Sequence, residues 1–302
     1  MTNLRDVRLR MRAIRQTLQV TSAMKLISTA KLRKGRRVLQ DVEPFFLRIK
    51  KSVFDILSGA EVVESVFLST DGTSVKRASG GQEIPCTAIV AVNSDKGLAG
   101  GYNANIFNKV KQLCAEIKNP VIITIGDIGY RHYAHTQLNI LKSFSLKSQL
   151  PTLEDAQEVA EYIISQYLSE TFNEVHIVYT HMYSSVKLNP REHQLLPLSL
   201  KKMREEFLLD GSERAGLHFE YTPSEKAVFE HLVPLYLKGI IFGSLVEAYA
   251  SEQSARMFAM NEASKNAEEM LADLQVHYNR FRQASITQEM TEIIGGAEAL
   301  GR

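Results

Sequence analysis

The chain has 302 residues, 44% of them hydrophobic, which is enough apolar material for one large domain or two small ones. Its two cysteines, Cys86 and Cys114, exclude a disulfide framework and a cysteine-based zinc site, and they fit a reducing compartment. The net charge is only +2, but residues 1–37 hold eleven Lys or Arg against the single acid Asp6. Such a basic arm indicates either an acidic partner (nucleic acid, anionic lipid or an acidic protein surface) or a solvated helix face.

The first segment carries the spacing of a long coiled-coil helix. When the sequence is read in alternating steps of three and four residues from Leu4 to Ile56, nearly every position reached is apolar, except in the middle of the segment. At ~1.5 Å per residue such a helix could reach about 80 Å, and Pro44 should bend it locally. The middle stops are polar (Thr21, Lys25 and Ser28), which fits either a register-setting layer or a surface that faces another protein.

No membrane span is expected. The longest apolar candidate, Leu235–Tyr249, is interrupted by Lys238 and Glu247 and falls short of the ~20 residues that a span needs. The Arg-rich opening could pass for a transit peptide, but its apolar spacing continues into the body of the chain, so we expect it to be mature structure.

In the middle of the chain the spacing of the apolar residues changes from that of one long helix to short runs. Residues 58–82 are rich in Ser, Gly and Thr and read as a linker. Apolar runs typical of strands then alternate with helical patterns, and this alternation favours a mostly parallel sheet covered on both faces. The predicted strands are Ala88–Val92, Val121–Ile125, Ile140–Phe144, Val175–Tyr179 and Leu195–Leu198, and the predicted helices are Asn103–Ile117, Ile128–His135 and Leu153–Leu168.

The last segment predicts a second long helix. It opens at Thr222-Pro223-Ser224-Glu225, where Thr222 can cap the helix and Glu225 can close a capping box. The three-four spacing runs from Val228 to Ala284, with a local bend expected at Pro234. Beyond about Ala259 the residues are small or polar on most faces, which is typical of a helix that is either unstable or enclosed by a polar cavity of another protein.

The glycine-rich segment Asn93–Asn103 follows a predicted strand and precedes a predicted helix. In a doubly wound sheet this place can bind phosphate. Its spacing matches neither the dinucleotide nor the P-loop pattern, so a tight structural turn is the favoured interpretation and a phosphate-binding α/β protein the alternative.

Other chemistry finds little support in the sequence. Only His132 and His135 of the eight histidines lie close together, and no carboxylate pair accompanies them, so we expect no metal site. No nucleophile-elbow spacing is present, and we expect no catalytic residues and no cofactor. The basic run at residues 31–37 lacks interleaved aromatic residues, which favours protein contact or solvation over single-stranded nucleic acid.

Three parts of the chain resemble the gamma subunit family of the F-type ATP synthases. The C-terminal match is the most specific one. The matching segments are Ala255–Met260, Asn266–Ala267 and Tyr278–Ile294 at the C-terminal end, Ile14–Thr17, Thr21–Leu26 and Ala30–Lys34 at the N-terminal end, and Ser94–Asn103 and Leu195–Leu198 in the middle.

The resemblance implies a non-catalytic central rotor shaft. Its partners would be the alpha and beta subunits of the catalytic hexamer, the epsilon subunit and the membrane c-subunit ring, with no nucleic acid and a place on the cytoplasmic face of the bacterial cell membrane. By family position the hexamer contacts would be Met24, Lys25, Arg256, Arg282, Gln283 and Thr287. The contacts with the rotor ring and epsilon would be Arg33, Lys34, Arg36, Arg37, Phe219 and Tyr221.

The predicted fold is α/β: a long antiparallel coiled coil of the N- and C-terminal helices plus a Rossmann-like, mostly parallel sheet domain. We place the N-terminal helix at residues 1–57, the linker at 58–82, the α/β domain at 83–200, a connector at 201–221 and the C-terminal helix at 222–302. The alternative functions are a basic coiled-coil scaffold and a phosphate-binding α/β protein.

Overall fold

The computed structural model of the chain describes residues 4–59, 65–69, 86–148, 150–184, 187–199, 221–222 and 224–300. The chain divides into two compact units: a helical unit of Met1–Thr29 with Arg256–Arg302, and an α/β unit of Ala30–Ala255. Residues 60–64, 70–82 and 201–220 of the predicted linker and connector lie outside the described residues, and the predicted domain boundaries stay predictions.

Two long helices confirm the predicted class of fold. Helix α1 spans Leu4–Gly59 and helix α5 spans Glu225–Leu300. Both continue through their internal prolines, Pro44 and Pro234, because each proline removes only one backbone donor from a long ladder. The three-four spacing of α1 is confirmed, since every predicted seam position from Leu4 to Ile56 is buried or half-buried.

The start of α5 differs from the prediction. The helix begins at Glu225, and Ser224 caps it: the Ser224 Oγ accepts a hydrogen bond from the Ala227 N–H at 3.3 Å. Thr222 is therefore not the cap, because it lies three residues before the first helical residue, too far to reach the first free N–H groups. Pro223 lies outside the described residues.

Five strands form the main sheet of the α/β unit, and a short strand, β1 (Leu68–Ser69), precedes them along the chain. The five are β2 (Thr87–Val92), β3 (Pro120–Ile125), β4 (Asn139–Phe144), β5 (Glu174–Met182) and β6 (Leu188–Leu196), and the helices between them are α2 (Tyr102–Glu116), α3 (Asp127–Ala134) and α4 (Leu153–Leu168). Their order in the sheet is β4-β3-β2-β5-β6. The first four in this order are parallel to one another and β6 is antiparallel to β5, so the mostly parallel sheet is confirmed.

Alternating residues of the strands build two separate cores. Val90 of β2 faces the core that contains α4, the C-terminal part of α1 and the N-terminal part of α5. Its neighbours Ile89 and Ala91 face the core that contains α2 and Tyr133 of α3. This alternation is the two-residue period of a strand covered on both sides. A short parallel pair, β1 (Leu68–Ser69) with β7 (Leu198–Ser199), lies within the range predicted as linker and at the end of the predicted strand Leu195–Leu198.

In the described part of the chain, α5 is the one helix long and apolar enough to cross a membrane by length and composition. The same test is passed by core helices, and 61% of its most apolar window is buried inside the protein. In the α/β unit α5 packs on α1, where the ring centroids of Phe46 and Phe242 lie 6.1 Å apart. The burial of most of the apolar window is typical of a core helix.

Candidate partner-binding surfaces

The helical unit pairs the first part of α1 with the last part of α5 in opposite directions. Arg8 donates to the Tyr278 hydroxyl at 2.7 Å, and its guanidinium lies 5.6 Å from the centre of that ring. Further along, the Thr21 and Ser264 hydroxyls lie 2.7 Å apart, and the Lys25 ammonium donates to the Asn261 side-chain carbonyl at 2.7 Å. As the residue numbers rise along α1, the numbers of their partners on α5 fall, so the two helices run antiparallel.

Polar side chains occupy the seam where a coiled coil would ordinarily be apolar. Thr21 and Ser264 are both buried, and Ser28 is almost fully buried. Because the Thr21 hydroxyl also donates to the Leu18 carbonyl at 3.1 Å, the Ser264 hydroxyl must be the donor to Thr21. Hydroxyl and amide pairs fix register without the volume of large apolar side chains, so this stretch of the helix pair is slender.

The predicted α5 seam is displaced at several positions. Leu235, Met270 and His277 of the three-four spacing are exposed. In each case the next residue along the helix is buried or half-buried, as Tyr278 is against α1. A strict three-four ladder advances 3.5 residues per turn while an α-helix has 3.6, so the predicted stripe drifts around the helix over many turns.

The end of α5 extends past the described part of α1. Arg8 lies opposite Tyr278, so the first described residue of α1, Leu4, reaches only about the level of Arg282. From Phe281 to Ala297 every α5 residue is exposed, and among the described residues none covers this segment. We call residues 283–297 the tip segment.

The tip segment is a helix with an exposed apolar stripe. Ile286, Met290, Ile293 and Ile294 recur at helical spacing, and Ile293 is 71% exposed. A lone helix of this length is marginal in water unless its apolar face is covered by something else. A contiguous exposed apolar stripe of this kind marks a contact with another macromolecule.

The predicted hexamer contacts fall in three environments. Arg282, Gln283 and Thr287 are exposed at or beside the tip segment. Met24 and Lys25 are half-buried on α1, and Arg256 is only 7% exposed on α5. The Thr287 hydroxyl donates to the Gln283 carbonyl at 2.9 Å, so in this structure it is satisfied within its own helix.

The predicted contacts with the rotor ring and epsilon include a basic cluster on α1. Arg33, Lys34, Arg36 and Arg37 are all exposed, and Arg36 also donates to the Met182 sulfur at 3.0 Å. Tyr221 is half-buried, and burial raises the pKa of its phenol, with the nearby carboxylates of Asp55 and Glu225 adding to the shift. Phe219 lies outside the described residues.

The glycine-rich segment 93–103 is filled by its own side chains. The Asn103 Oδ1 accepts the Ser94 N–H at 3.1 Å, and the Asn103 Nδ2 donates to the Ser94 Oγ at 2.7 Å. The start of the neighbouring helix α3 is occupied as well, because the Asp95 Oδ1 accepts the Asp127 N–H at 3.2 Å. Burial raises the pKa of the Asp95 carboxyl, whereas the hydrogen bond from the Asp127 N–H acts in the opposite direction. The negative charge of the Asp127 carboxylate adds to the rise.

This packing leaves no open anion site at the start of α3. The Asp95 carboxylate already lies at the N-terminus of that helix, and its charge would repel an anion there. The backbone is also tightly packed: a Cβ on Gly126, whose φ is +100°, would lie 2.3 Å from the Asn93 carbonyl oxygen. Among the described residues no group of three or more His, Cys, Asp or Glu side chains could hold a metal ion.

Sequence reasoning missed a polar junction between α5 and the sheet. The Glu247 carboxylate contacts the His181 imidazole and accepts the Met182 N–H at 3.3 Å. Glu247 was visible in the sequence only as an interruption of the apolar stretch, and a single acid inside a buried stretch is itself a signal that a partner lies nearby. The identity of that partner depends on the sheet order and could not be read from spacing.

A family model described as ATP synthase matches residues 3–300. The ATP synthase gamma chain of Ruminiclostridium cellulolyticum is 40% identical over 299 residues, which cover 99% of this chain and 99% of that one. The ATP synthase gamma chain of Acetivibrio thermocellus is 36% identical over 302 residues, covering 99% of this chain and 100% of that one.

The fold has a counterpart among solved structures. A chain from the central stalk and c-ring of the mitochondrial ATP synthase of Tetrahymena thermophila superposes with a TM-score of 0.58 at 22% identity. The match covers 81% of this chain and 99% of that one. At this identity the likeness concerns the fold.

Proposed function

We propose, since the chain belongs to the family of ATP synthase gamma chains, that its helical unit turns inside the catalytic hexamer of alpha and beta subunits. The chain is the central-stalk rotor subunit, and the chemistry of ATP belongs to other subunits. The observation that carries the proposal is the tip segment: a helix exposed on every side, with an apolar stripe that the described chain does not cover.

The tip segment offers one continuous face for contact with the hexamer. Its exposed apolar positions, Ile286, Met290 and Ile293, share one stripe. The exposed Gln283 and Thr287 lie beside that stripe on the same face and add hydrogen-bonding groups. We assign the contacts of Arg282, Gln283 and Thr287 to the catalytic hexamer. These side chains are exposed and therefore available to it.

The second proposed hexamer contact lies where the seam is polar. Met24 and Lys25 are half-buried, and Lys25 already donates to Asn261, so its position is fixed within the helix pair. Arg256 is largely covered, so we propose that it supports this surface and offers only its exposed edge. Acidic loops of the surrounding subunits would complement the basic N-terminal arm.

We propose a second contact region, for the rotor ring and the epsilon subunit. It consists of the basic cluster of Arg33, Lys34, Arg36 and Arg37, together with Phe219 and Tyr221. The cluster is exposed and carries four like charges on one short stretch of α1, which favours an acidic or polar protein surface. We propose the membrane c-subunit ring and the epsilon subunit as its partners. The complex would then lie on the cytoplasmic face of the membrane.

Rotation would be coupled to the chemistry of ATP because the contacts of the shaft with a catalytic subunit differ between the open and closed states of that subunit. A shaft without three-fold symmetry presents a different face to each catalytic subunit, so each rotation changes which subunit is favoured open or closed. A shaft can shift these equilibria only by the difference in its contact free energy with the two states. Ion flow through the ring would drive this rotation in the direction of ATP synthesis.

Co-assembly tests the proposal. The chain, mixed with the alpha and beta subunits of the same source, should give by native mass spectrometry one copy per three alpha and three beta subunits. Arg282→Ala with Gln283→Ala should weaken this assembly, while Lys111→Ala, an exposed substitution on α2, should leave it unchanged. A chain that stays alone at micromolar concentrations of all three would overturn the proposal.

A further inference from the structure

The methionines of the chain differ widely in their exposure to solvent. Seven of the nine lie within the described residues, since Met1 and Met203 do not. Two of the seven are exposed, Met270 at 54% and Met290 at 57%, and both lie on α5. The five buried or half-buried methionines are Met11, Met24, Met182, Met257 and Met260. A small oxidant in the solvent therefore reaches Met270 and Met290 first.

Met290 lies in the middle of the apolar stripe of the tip segment. Ile286 precedes it by one helical turn, and Ile293 and Ile294 follow it by one turn. All three isoleucines are exposed, so the four side chains form one apolar surface that the described part of the chain does not cover. A chemical change at Met290 therefore acts at the centre of the surface for which we propose a contact with the hexamer.

Oxidation of a methionine changes its polarity more than its size. A lone pair of the thioether sulfur attacks one oxygen of a peroxide; the sulfur–oxygen bond forms as the oxygen–oxygen bond breaks, and water leaves. The sulfur gives two electrons to the peroxide, so the step requires no further reactant. The product, methionine sulfoxide, is polar, and methionine sulfoxide reductases return it to the thioether.

We propose that Met290 is a reversible oxidation site whose sulfoxide weakens the binding of the tip segment to the catalytic hexamer. This inference rests on the proposed function, because the hexamer is the partner that the apolar stripe would contact. Hydrogen peroxide is the oxidant. The site is open in the chain before assembly and closed afterwards, since the bound hexamer would cover it.

The tip segment offers the sulfoxide oxygen no hydrogen-bond donor in place of water. Among the side chains one turn away from Met290, the three isoleucines carry no donor, and the Thr287 hydroxyl already donates to the Gln283 carbonyl at 2.9 Å. Covering the stripe would therefore bury the sulfoxide oxygen without a hydrogen bond from its own helix. Burial of an unpaired acceptor of this kind lowers an affinity by about tenfold.

The two cysteines are poorer targets for the same oxidant. Both are half-buried, and burial raises the pKa of the Cys86 thiol and the pKa of the Cys114 thiol. A raised pKa keeps the thiol protonated, and the thiolate is the form that reacts. A thiol reductant added after the peroxide separates the two chemistries, because it reverses disulfides and sulfenic acids and leaves methionine sulfoxides unchanged.

Peptide mass spectrometry of the full isolated chain measures which methionines react with a small excess of hydrogen peroxide. Met270 and Met290 should each gain one oxygen before Met11 and Met260 do, because the latter two are only 7% and 6% exposed. Equal rates at all four positions would overturn the inference, since it depends on the accessibility of Met290. This step needs no other subunit.

Co-assembly with the alpha and beta subunits measures the consequence. Oxidation should weaken assembly of the wild-type chain about tenfold, and reductases specific for both sulfoxide epimers should restore it. Met290→Leu keeps an apolar side chain of similar size, so its assembly should withstand peroxide. Met270→Leu, matched in exposure and on the same helix, should stay as sensitive as the wild type. Met290→Gln should assemble about tenfold more weakly without any oxidant.

The variants separate Met290 from general oxidative damage. A loss of assembly in oxidised Met290→Leu equal to that of the wild type, or resistance to peroxide in Met270→Leu, would overturn the inference. An oxidised wild-type chain that carries the sulfoxide at Met290 and assembles as well as the untreated chain would overturn it too, and would leave the proposed function standing. An untreated chain that does not assemble would overturn the proposed function and this inference together.

Discussion

The hydroxyl of Ser264 on α5 lies 2.7 Å from the hydroxyl of Thr21 on α1, and both residues are buried. The Thr21 hydroxyl in turn donates a hydrogen bond to the Leu18 carbonyl at 3.1 Å. A polar chain thus replaces apolar packing in the seam, and it stabilises one register because a shift of either helix would leave two buried hydroxyls without partners.

Replacing Thr21 by valine tests this chain. Thr21→Val keeps the shape but leaves the Ser264 hydroxyl buried opposite a methyl group, so we expect the free energy of unfolding to fall by about 1–3 kcal/mol. The double variant Thr21→Val with Ser264→Ala should cost less than the sum of the two single variants. Denaturant unfolding of the four proteins measures the coupling; strictly additive costs would refute the pairing.

A glycine tests the close approach of the two helices in the α/β unit. A Cβ on Gly239 of α5 would lie 2.1 Å from the Phe46 ring of α1, so Gly239→Ala should destabilise by about 1–3 kcal/mol through overpacking. Gly243 lies one turn further along the same helix with nothing within 4 Å of the added atom. Gly243→Ala should instead stabilise by about 0.5–1 kcal/mol, and similar effects of the two changes in thermal unfolding would contradict the contact.

Periodicity predicted the elements well because burial follows it closely. The predicted strand Ala88–Val92 lies within β2, whose alternate residues face two cores. Every three-four position of α1 from Leu4 to Ile56 is at least half-buried.

Two features were missed because they depend on residues far away in the sequence. The displacement of the α5 seam from His277 to Tyr278 builds up over many turns, and the antiparallel strand β6 follows from a hairpin whose pairing local spacing does not encode.

The candidate site was predictable only in part. The C-terminal resemblance pointed to Arg282, Gln283 and Thr287, and these are exposed. The reach of α5 past α1 could not be derived from either helix alone, because it depends on the register that places Arg8 opposite Tyr278. The contact between His181 and Glu247 joins residues 66 positions apart and required the sheet order.

The contact of Arg8 with Tyr278 gives a spectroscopic prediction. The hydrogen bond from Arg8 is the main cause that lowers the pKa of the Tyr278 phenol, because a nearby positive charge favours the phenolate. Arg8→Gln should therefore raise that pKa, observed in an ultraviolet titration as the difference from a Tyr278→Phe chain.

Because the pKa of the Tyr278 phenol is lowered, its ionisation affects stability only in one range of pH. A lowered phenol pKa stabilises the fold only once the pH approaches the alkaline range in which the phenol ionises, so stability near pH 7 should not change through this ionisation. An unchanged titration in Arg8→Gln would show that the two side chains do not meet in solution.

The apolar stripe of the tip segment should contribute to assembly. Ile293→Ser removes a side chain that is 71% exposed, so the isolated chain should unfold within about 0.5 kcal/mol of the wild type. In the complex the same change should weaken hexamer binding about tenfold or more, as loss of a buried interface side chain does. Lys265→Ser is an exposed control on the same helix, and equal effects of both changes on assembly would argue against a partner contact at the apolar stripe of the tip segment.

Rotation is the central claim, and a single-particle assay measures it most directly. The hexamer is fixed to a surface and a bead is attached to the α/β unit at Lys111→Cys, with Cys86 and Cys114 replaced by serine. With ATP the bead should turn in one direction with three pauses per revolution. A bead that stays still while the fixed hexamer hydrolyses ATP would contradict the assignment of this chain as the shaft.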